Sequence, residues 1–484
     1  MAGTVSCRTE LLDPKPRTDL PAAVVFDTPQ RVEQQANGLY DAVKNGQFLG
    51  GRYLVYNDIR AEDFINRQNN AVTGLQTWNH TLVETNSEVN NLWVFAYQAI
   101  NAANVFLKGL DDNASRFVQP AFPENFATVR VPQYQAEARF LRGISYYYLL
   151  QLYARPYLDG NGSRPGLPLR LQAETDFSNN DLARSTVAET YAQVLADLDF
   201  AEQNLPLTAP NSRAHRNAAI AFKTRVYLTM GRWNDVVTEA DKIVSAAAPF
   251  KATSGVLHEL SPSVKAVFAP PQNTPESIFS LPATALDAPG TQNQLAFYYL
   301  PNTRPNPSDP TGGAEYSLNP TGIIADPTWK ATDERRQFII PISGANNAVT
   351  NYWGKFSTGT PYTDNVPIIR YAEVLLNLAE ARARAAGGVD EKSVALLNAV
   401  RGRSDATTQF TLADFADVNA FTAALLKERR IEFLGEGMRS IDLMRLNLPI
   451  PAKGTAPGVQ PSDPNYVWPI PSGELSANRA MDRN

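Results

Sequence analysis

The residues best suited to acid–base chemistry lie in a charged stretch toward the end of the chain. Glu428 and Glu432 are one helical turn apart, and a pair of carboxyl groups facing a cleft is the usual catalytic machinery of a glycoside hydrolase. Arg429, Arg439 and Arg445 lie in the same stretch. Neighbouring guanidinium groups keep carboxylates ionised, so the pattern favours a structural ion network over a catalytic acid. We therefore expect no enzymatic activity.

The same stretch, residues 428–445, has the pattern of a buried helical run. Apolar side chains such as Ile431 and Leu434 occur on every side of it. A helix that is apolar on more than one side is normally buried, and buried charges are tolerated when they are paired. We therefore predict that these charges tie packed helices together. Glu373 and Glu380 are predicted to belong to a network of the same kind.

Two other parts of the chain carry the residue types that bind sugars. Aromatic rings pack on the apolar faces of sugar rings, and Asp, Asn, Arg and Gln side chains hydrogen-bond to the hydroxyls. The first part spans residues 57–79, which show no helical period, and the second spans residues 297–353. The candidate ligand-binding residues are Asp58, Arg60, Asp63, Trp78, Asn79, Tyr298, Tyr299, Tyr316 and Trp329.

For each aromatic candidate there is an alternative interpretation, in which the ring packs inside the protein and does not contact a ligand. Trp78 is flanked by the polar residues Gln76, Asn79 and His80, which suits a half-exposed ring. Tryptophan is usually largely buried, so a core position under the first loop is the alternative. For the aromatic candidates of the second part, the alternative is packing within the loops.

Two other kinds of function stay open at this point. Charged residues near the start of the first part, Asp58, Arg60, Glu62 and Asp63, would suit a peptide ligand. A glycoside hydrolase needs two carboxylates facing a cleft, and the sequence does not single out such a pair. Binding of an oligosaccharide is the leading hypothesis.

Composition excludes several other kinds of site. There is one cysteine, Cys7, and the three histidines, His80, His215 and His258, are far apart. An intrachain disulfide is therefore impossible, and a His/Cys metal centre or thiol–histidine catalysis lacks the residues it needs. We expect no metal and no cofactor. A net charge of −5 over 484 residues gives no basic face for nucleic acid.

The 3.6-residue period predicts helices that occur in pairs. The nine predicted helical stretches are residues 31–44, 86–110, 133–153, 186–204, 217–230, 233–245, 369–386, 391–403 and 419–434. With Gly231 placed at the turn between two of them, Tyr227 and Trp233 fall where a tetratricopeptide repeat has aromatic residues. The sequence therefore predicts a mainly α-helical fold built on tetratricopeptide-like helix pairs.

One long insertion interrupts the helical pattern, and an irregular tail follows it. Residues 246–366 are rich in proline, glycine and aromatic residues and show no period, which predicts a loop-rich insertion with a functional role. The flanking residues 27–245 and 367–448 form the predicted helical scaffold. Residues 449–484 are rich in proline at their start and are predicted to lie along the body as an extended strap.

The first residues resemble what remains of a bacterial lipoprotein after its signal has been removed. Small residues precede Cys7, and a polar stretch containing prolines follows it. Residues 1–26 would then be an extended segment behind a lipidated cysteine. A chance cysteine near an arbitrary N-terminus is the alternative. No apolar run in the chain approaches the roughly 18 residues that a membrane-spanning helix needs.

Five segments together resemble the SusD/RagB family of outer-membrane nutrient-binding lipoproteins of the Bacteroidetes. They are CRTELLDPKP at 7–16, EARFLRGISYY at 137–147, IRYAEVLLNLAEA at 369–381, ERRIEFLGEGMRSIDLMR at 428–445 and PIPSGELSAN at 469–478. Two features depart from the family pattern. Leu446 replaces an aromatic residue that often follows the last arginine, and the chain ends in Asp482-Arg483-Asn484 instead of Gln-Asn-Pro-Gly-Tyr. These departures concern the closure of the C-terminus and leave the fold unaffected.

The resemblance implies a single domain, residues 1–484, whose helix pairs form a right-handed superhelical scaffold under a loop-rich half. The ligand site would draw on both sugar-binding parts. It also implies a binding protein without catalytic activity, anchored at the surface of the outer membrane through a lipid on Cys7. Such a protein would capture an oligosaccharide and deliver it to a partner TonB-dependent (SusC-like) transporter. A RagB-like peptide-binding protein is the alternative.

Overall fold

The computed structural model describes residues 24–176, 178–303 and 306–484. The helices are α1 (Pro29–Val43), α2 (Arg52–Arg60), α3 (Leu75–Asn79), α4 (Ser87–Asp112), α5 (Val131–Tyr153), α6 (Val187–Asn204), α7 (Arg216–Thr229), α8 (Trp233–Ala240), α9 (Val264–Phe268), α10 (Leu295–Tyr299), α11 (Tyr371–Ala386), α12 (Glu391–Ser404), α13 (Val418–Glu432), α14 (Arg439–Arg445) and α15 (Ser472–Ala477). The strands are β1 (Phe64–Asn66), β2 (Ser277–Leu281), β3 (Tyr316–Leu318), β4 (Ile339–Ser343), β5 (Val349–Trp353) and β6 (Val366–Arg370). Cys7, the predicted lipidation site, lies outside the described residues.

The fold is mainly α-helical, as predicted. Each of the nine predicted helical stretches contains a helix, although α8 ends at Ala240, about one turn earlier than expected. The stretch from 57 to 60, predicted to lack helical structure, instead belongs to α2. All nine residues of α2 are buried, polar ones included, so this helix has no exposed stripe to produce a period.

The charged run 428–445 is two helices rather than one. Gly435 and Gly437, between α13 and α14, have φ values of 87° and 73°, which glycine adopts without steric strain. A Cβ atom on Gly435 would lie 2.7 Å from the indole nitrogen of Trp353, and one on Gly437 would lie 2.8 Å from the backbone of Leu54. The glycines therefore allow the chain to turn between α13 and α14 while it packs closely against Trp353 and Leu54.

The scaffold is a succession of helices in which each packs against the next. This holds from α4 through α5, α6, α7 and α8, and α11 continues the series by packing against both α8 and α12. The helix ends are defined locally: Thr186 and Glu189 form a capping box at the start of α6, and Gly387 ends α11 in a left-handed conformation. The long insertion thus leaves the scaffold after α8 and returns at α11.

Three two-stranded antiparallel sheets organise the insertion, and two of them connect segments that are distant in sequence. β1 pairs with β3, β2 with β6, and β4 with β5. The β2–β6 pair joins the insertion to the residue before α11, because Ser277 lies opposite Arg370. The region that the sequence predicted to lack a period therefore contains short strands, which are too brief to give a recognisable alternation.

The C-terminal tail runs along the body. The Trp468 N–H donates to the Leu152 carbonyl over 2.7 Å, and the Ser472 N–H donates to the Glu84 carbonyl over 2.9 Å. The Trp468 ring also packs against Tyr56 on α2. Among the helices described here, none is both long enough and apolar enough to cross a membrane.

Candidate functional site

The structure brings the two parts with sugar-binding residue types together. β1 belongs to the first part and pairs with β3 of the second, so that Asn66 lies opposite Tyr316. The contact continues beyond β1, where the Arg67 N–H donates to the Glu315 carbonyl over 2.9 Å. β5 also packs against β3. Segments more than 200 residues apart in sequence therefore form one structural unit around β3.

The acidic candidates of this unit are buried and already bonded. Asp58 accepts hydrogen bonds from the Tyr299 hydroxyl (2.9 Å) and the Gly437 N–H (3.0 Å), and burial raises its pKa well above the ordinary value. Asp63 forms an ion pair with Arg430 at 2.6 Å. Both carboxylates serve internal contacts in this structure, and ligand binding by Asp58 and Asp63 stays a prediction.

Arg60 is also part of the interior. Its guanidinium contacts the Met444 sulfur at 2.8 Å and donates to the Tyr466 carbonyl, and burial lowers its pKa to about 10. Glu62, which supported the peptide hypothesis, is paired with Arg439 at 2.6 Å. Ligand contact by Arg60 stays a prediction, and the charged residues that suggested a peptide site are engaged within the protein.

Trp78 lies in the core, which was the alternative interpretation. Its side chain is 5% exposed, and its indole N–H donates to the Phe64 carbonyl over 2.8 Å. Gly454, in the tail, packs so closely on the ring that a Cβ there would lie 3.3 Å from two of its carbons. The prediction of a half-exposed ring is therefore wrong. Asn79, the next residue, is half-buried.

The aromatic candidates of the insertion are buried as well, and their rings contact other residues of the protein. Tyr298 stacks against Tyr316 with the ring centres 6.3 Å apart, and the Tyr316 hydroxyl donates to the Thr73 carbonyl over 3.0 Å. Tyr299 donates to Asp58, as described above. The Trp329 ring is buried beneath the Arg336 guanidinium, whose central carbon lies 4.6 Å from the ring centre. These rings form a packed layer beneath the surface.

A smaller set of side chains around β3 remains accessible. Of the aromatic residues described between 246 and 366, Phe297 and Tyr352 alone are half-buried rather than buried. Trp353 points into the core, so the alternation of β5 directs Tyr352 away from it. The exposed residues that follow β1 are Arg67, Gln68 and Asn69. We call the surface formed by Arg67, Gln68, Asn69 and Tyr352 the β3 surface.

The β3 surface has donors and acceptors that are free to bond outward. Arg67 uses its Nε to donate to the Ser317 hydroxyl over 2.6 Å, which holds the guanidinium against β3. The two terminal nitrogens of Arg67 and the Tyr352 hydroxyl have no hydrogen-bond partner among the residues described. Sequence reasoning missed Tyr352 as a candidate, although the alternation expected of a strand separates it from its neighbour Trp353.

The charged run forms an ion network, as predicted. Glu428 and Glu432 are fully buried, and the network joins α13 to the insertion, to β6 and to α12. Its ion pairs are Arg335–Glu428, Arg335–Glu432, Arg370–Glu276, Arg370–Glu432, Arg370–Glu436, Arg401–Glu428, Arg403–Glu276 and Arg403–Glu432. Burial favours the neutral form of Glu432, but the surrounding guanidinium groups outweigh it and hold its pKa well below the ordinary range. A general acid needs a raised pKa, so this carboxylate is unsuited to that role.

A second buried network joins α14 to α11 and α13. Asp442 accepts from the Nε atoms of Arg429 and Arg445, each at 2.8 Å, and Arg445 also pairs with Glu380 at 2.6 Å. Burial opposes ionisation of Asp442, but the two arginines lower its pKa to about 2. Glu373 pairs with Arg225 elsewhere on α11. The charges of the last helices therefore connect them to the scaffold.

Two protein-family models match this chain, one toward each end. Residues 10–228 match a family model described as "Starch-binding associating with outer membrane", and residues 342–484 match one described as "SusD family". SusD-like protein P2 of Formosa agariphila is 24% identical, with 95% of this chain and 92% of that protein covered. SusD-like protein P38 of the same organism is 22% identical, with coverages of 100% and 96%.

Solved structures share the fold over nearly the whole length. A SusD superfamily protein from Bacteroides fragilis is 33% identical, with a TM-score of 0.80 and coverage of 95% of this chain and 100% of that one. A structure described as "Laminarin binding SusD-like protein" is 20% identical, with a TM-score of 0.71 and coverages of 95% and 99%. The whole-length match at 33% identity, together with the family models at both ends, shows that this chain belongs to the SusD/RagB family.

Proposed function

We propose that the protein binds an oligosaccharide at the cell surface through the β3 surface and delivers it to a TonB-dependent transporter of the outer membrane. The observation that carries the proposal is Tyr352, a half-buried ring on a strand that packs against β3, while β1 on the same β3 leads into the exposed Arg67, Gln68 and Asn69. An aromatic face covers the apolar side of a sugar ring, and the neighbouring polar groups bond to its hydroxyls.

The packed layer beneath the β3 surface supports this role. The stacked rings of Tyr298 and Tyr316 and the buried Trp78 hold β1 and β3 in place, so the surface side chains rest on a rigid base. A preformed site loses less conformational entropy when the ligand binds. The laminarin-binding protein that shares the fold is a precedent for a glycan ligand.

Delivery to a transporter and anchoring through Cys7 belong to the same proposal. They are supported by the family-model description, which refers to association with the outer membrane, and by the sequence around Cys7. The peptide alternative has lost the residues that favoured it, since Asp58, Arg60, Glu62 and Asp63 are engaged in internal contacts. We therefore carry the glycan ligand forward.

Calorimetric titration with a panel of defined oligosaccharides tests the proposal. We expect at least one of them to bind with a dissociation constant between about 1 μM and 1 mM. Tyr352→Ala should weaken binding at least about tenfold, which corresponds to about 1.4 kcal/mol. Tyr352→Phe, the matched control, keeps the ring and should stay closer to the unmodified protein. Equal binding by the unmodified protein and Tyr352→Ala would refute the assignment of the site.

A further inference from the structure

A cleft lies away from the β3 surface, between α4, the segment that precedes α6, and α15. Two adjoining concavities form it, with volumes of about 290 Å³ and 670 Å³. They share Arg170, Glu174, Asn180 and Ala477. Small-molecule sites typically have volumes of about 300–1,000 Å³, so the cleft is large enough for a ligand of several rings. None of its lining residues belongs to the β3 surface.

Hydrogen bonds between three distant chain segments hold the cleft open. The Asn101 side chain, on α4, makes two backbone bonds to Glu174, with its amide donating over 2.8 Å and its oxygen accepting over 2.9 Å. Asn478, just after α15, makes a similar pair of bonds to the backbone of Leu182 at 2.9 Å and 2.8 Å. The indole N–H of Trp93 donates to Glu474 over 3.2 Å. The walls are therefore fixed before any ligand arrives.

The charged groups of the smaller concavity are paired with one another. Arg170 lies between Glu174, at 2.9 Å, and Glu474, at 3.4 Å. Glu474 also accepts from Asn478 over 2.8 Å. A charged ligand would have to compete with these pairs, whereas a neutral one would leave them intact. The electrostatics of this concavity therefore favour an uncharged ligand.

The side chains left to face a ligand are apolar or carry amides. Tyr97 is half-buried and packs on Trp93 with the ring centres 4.8 Å apart, and its hydroxyl donates to the Pro168 carbonyl, so its accessible part is the ring. Val94 is 45% exposed beside it. The side-chain amides of Gln98 and Asn180 have no hydrogen-bond partner among the residues described. The Tyr97 ring and the aliphatic Val94 can pack on the apolar face of a sugar ring, and the free amides can hydrogen-bond to its hydroxyls.

We propose that this cleft is a second carbohydrate-binding site, which takes a short neutral oligosaccharide against Tyr97. The ligand class rests on the proposed function, but the site is independent of the β3 surface. A protein with two separated sites could hold two stretches of one glycan, and the overall affinity would then exceed that of either site.

Exposed positions on α4 give a matched pair of variants that leave the core untouched. Val94→Arg places a long charged side chain in the cleft, whereas Val105→Arg makes the same change on the same helix outside it. Val105 is 41% exposed, close to the 45% of Val94. Both variants are titrated calorimetrically with cellohexaose, laminarihexaose, maltohexaose and xylohexaose, alone and combined with Tyr352→Ala.

We expect Tyr352→Ala to retain a weak site for at least one of these hexaoses. Adding Val94→Arg should weaken that remaining site at least about tenfold, and adding Val105→Arg should change it less than about twofold. The inference is overturned if Tyr352→Ala abolishes all binding, or if Val94→Arg and Val105→Arg behave alike. In either case the proposal that the protein binds an oligosaccharide is unaffected. If the unmodified protein binds none of the hexaoses, nor any other glycan, both proposals fail.

Discussion

Replacement of Asp442 by asparagine should strongly destabilise the protein without altering its surface. The substitution keeps the size of the side chain and removes its charge. Arg429, which is 1% exposed at its side chain, pairs with Asp442 and with no other carboxylate among the described residues, whereas Arg445 keeps Glu380. Asp442→Asn therefore leaves one buried guanidinium without an anion.

The expected loss follows from the general cost of breaking a buried ion pair and from the lowered pKa of Asp442. Removal of one partner from a buried ion pair typically costs about 3–5 kcal/mol. The fall in the pKa of Asp442 from its ordinary 3.8 to about 2 corresponds to a charge-dependent stabilisation of about 2 kcal/mol. We therefore expect a loss of about 2–5 kcal/mol at pH 7. The unfolded chain takes up this proton near pH 4 and the native protein near pH 2, so the charge-dependent part should disappear over that interval.

Urea unfolding followed by tryptophan fluorescence measures this loss. Asp112→Asn is the matched control, because Asp112 pairs with Lys108 at 2.7 Å on the exposed side of α4. Exposed pairs contribute about 0–1 kcal/mol, so the control should change little. A loss below about 1 kcal/mol for Asp442→Asn at pH 7, or losses of equal size for the two variants, would refute the reasoning.

Three further changes follow from the same structure. Arg439→Ala removes the ion pair with Glu62, so it should lower the free energy of unfolding by about 1–3 kcal/mol while leaving glycan affinity per folded molecule unchanged, as urea unfolding and calorimetry would show. Burial lowers the pKa of Lys453 to about 7, so between pH 7 and about 10 its amine is protonated in the unfolded chain but largely neutral in the native protein. Stability from this group should therefore rise with pH over that interval, by up to about 1.4 kcal/mol per pH unit. Lys453→Met should remove that rise. Burial raises the pKa of Glu88 from its ordinary 4.5 to about 7, so the native protein holds this proton more tightly than the unfolded chain, and stability from this group should fall as the pH rises from about 4.5 to 7. Glu88→Gln should therefore increase stability by about 1–3 kcal/mol at pH 8 and by less at pH 5, as urea titrations at both pH values would reveal.

An apolar stripe on one side made several helices recognisable in the sequence. α1 is an example, with Val32, Ala36, Leu39 and Val43 buried on one side. α2 was missed because it is buried on all sides, and its polar residues find partners that the sequence does not reveal. Periodicity reports the contrast between a buried and an exposed face, so a helix as short as α2 without that contrast gives little signal, whereas the longer α7 was predicted although it too is buried on almost every side.

The proposed site draws on the two segments that residue type had indicated, but its individual side chains could not be chosen from the sequence. Polar neighbours made Trp78 look half-exposed, yet the tail packs Gly454 against its ring. The partners of Glu432 are also distant from it in sequence, with Arg335 97 residues away and Arg370 62 residues away. Exposure and pairing depend on which distant segments meet, and the tertiary fold alone decides that.

The central claim is that the buried charges maintain the fold while the β3 surface binds the ligand. Titration of one bound oligosaccharide into Asp442→Asn and Tyr352→Ala, each with its unfolding free energy measured in parallel, tests this division most directly. We predict that Asp442→Asn loses stability and keeps its dissociation constant, and that Tyr352→Ala keeps its stability and loses at least about tenfold in affinity. A folded Asp442→Asn protein that no longer binds, or a Tyr352→Ala protein that binds normally, would contradict the account.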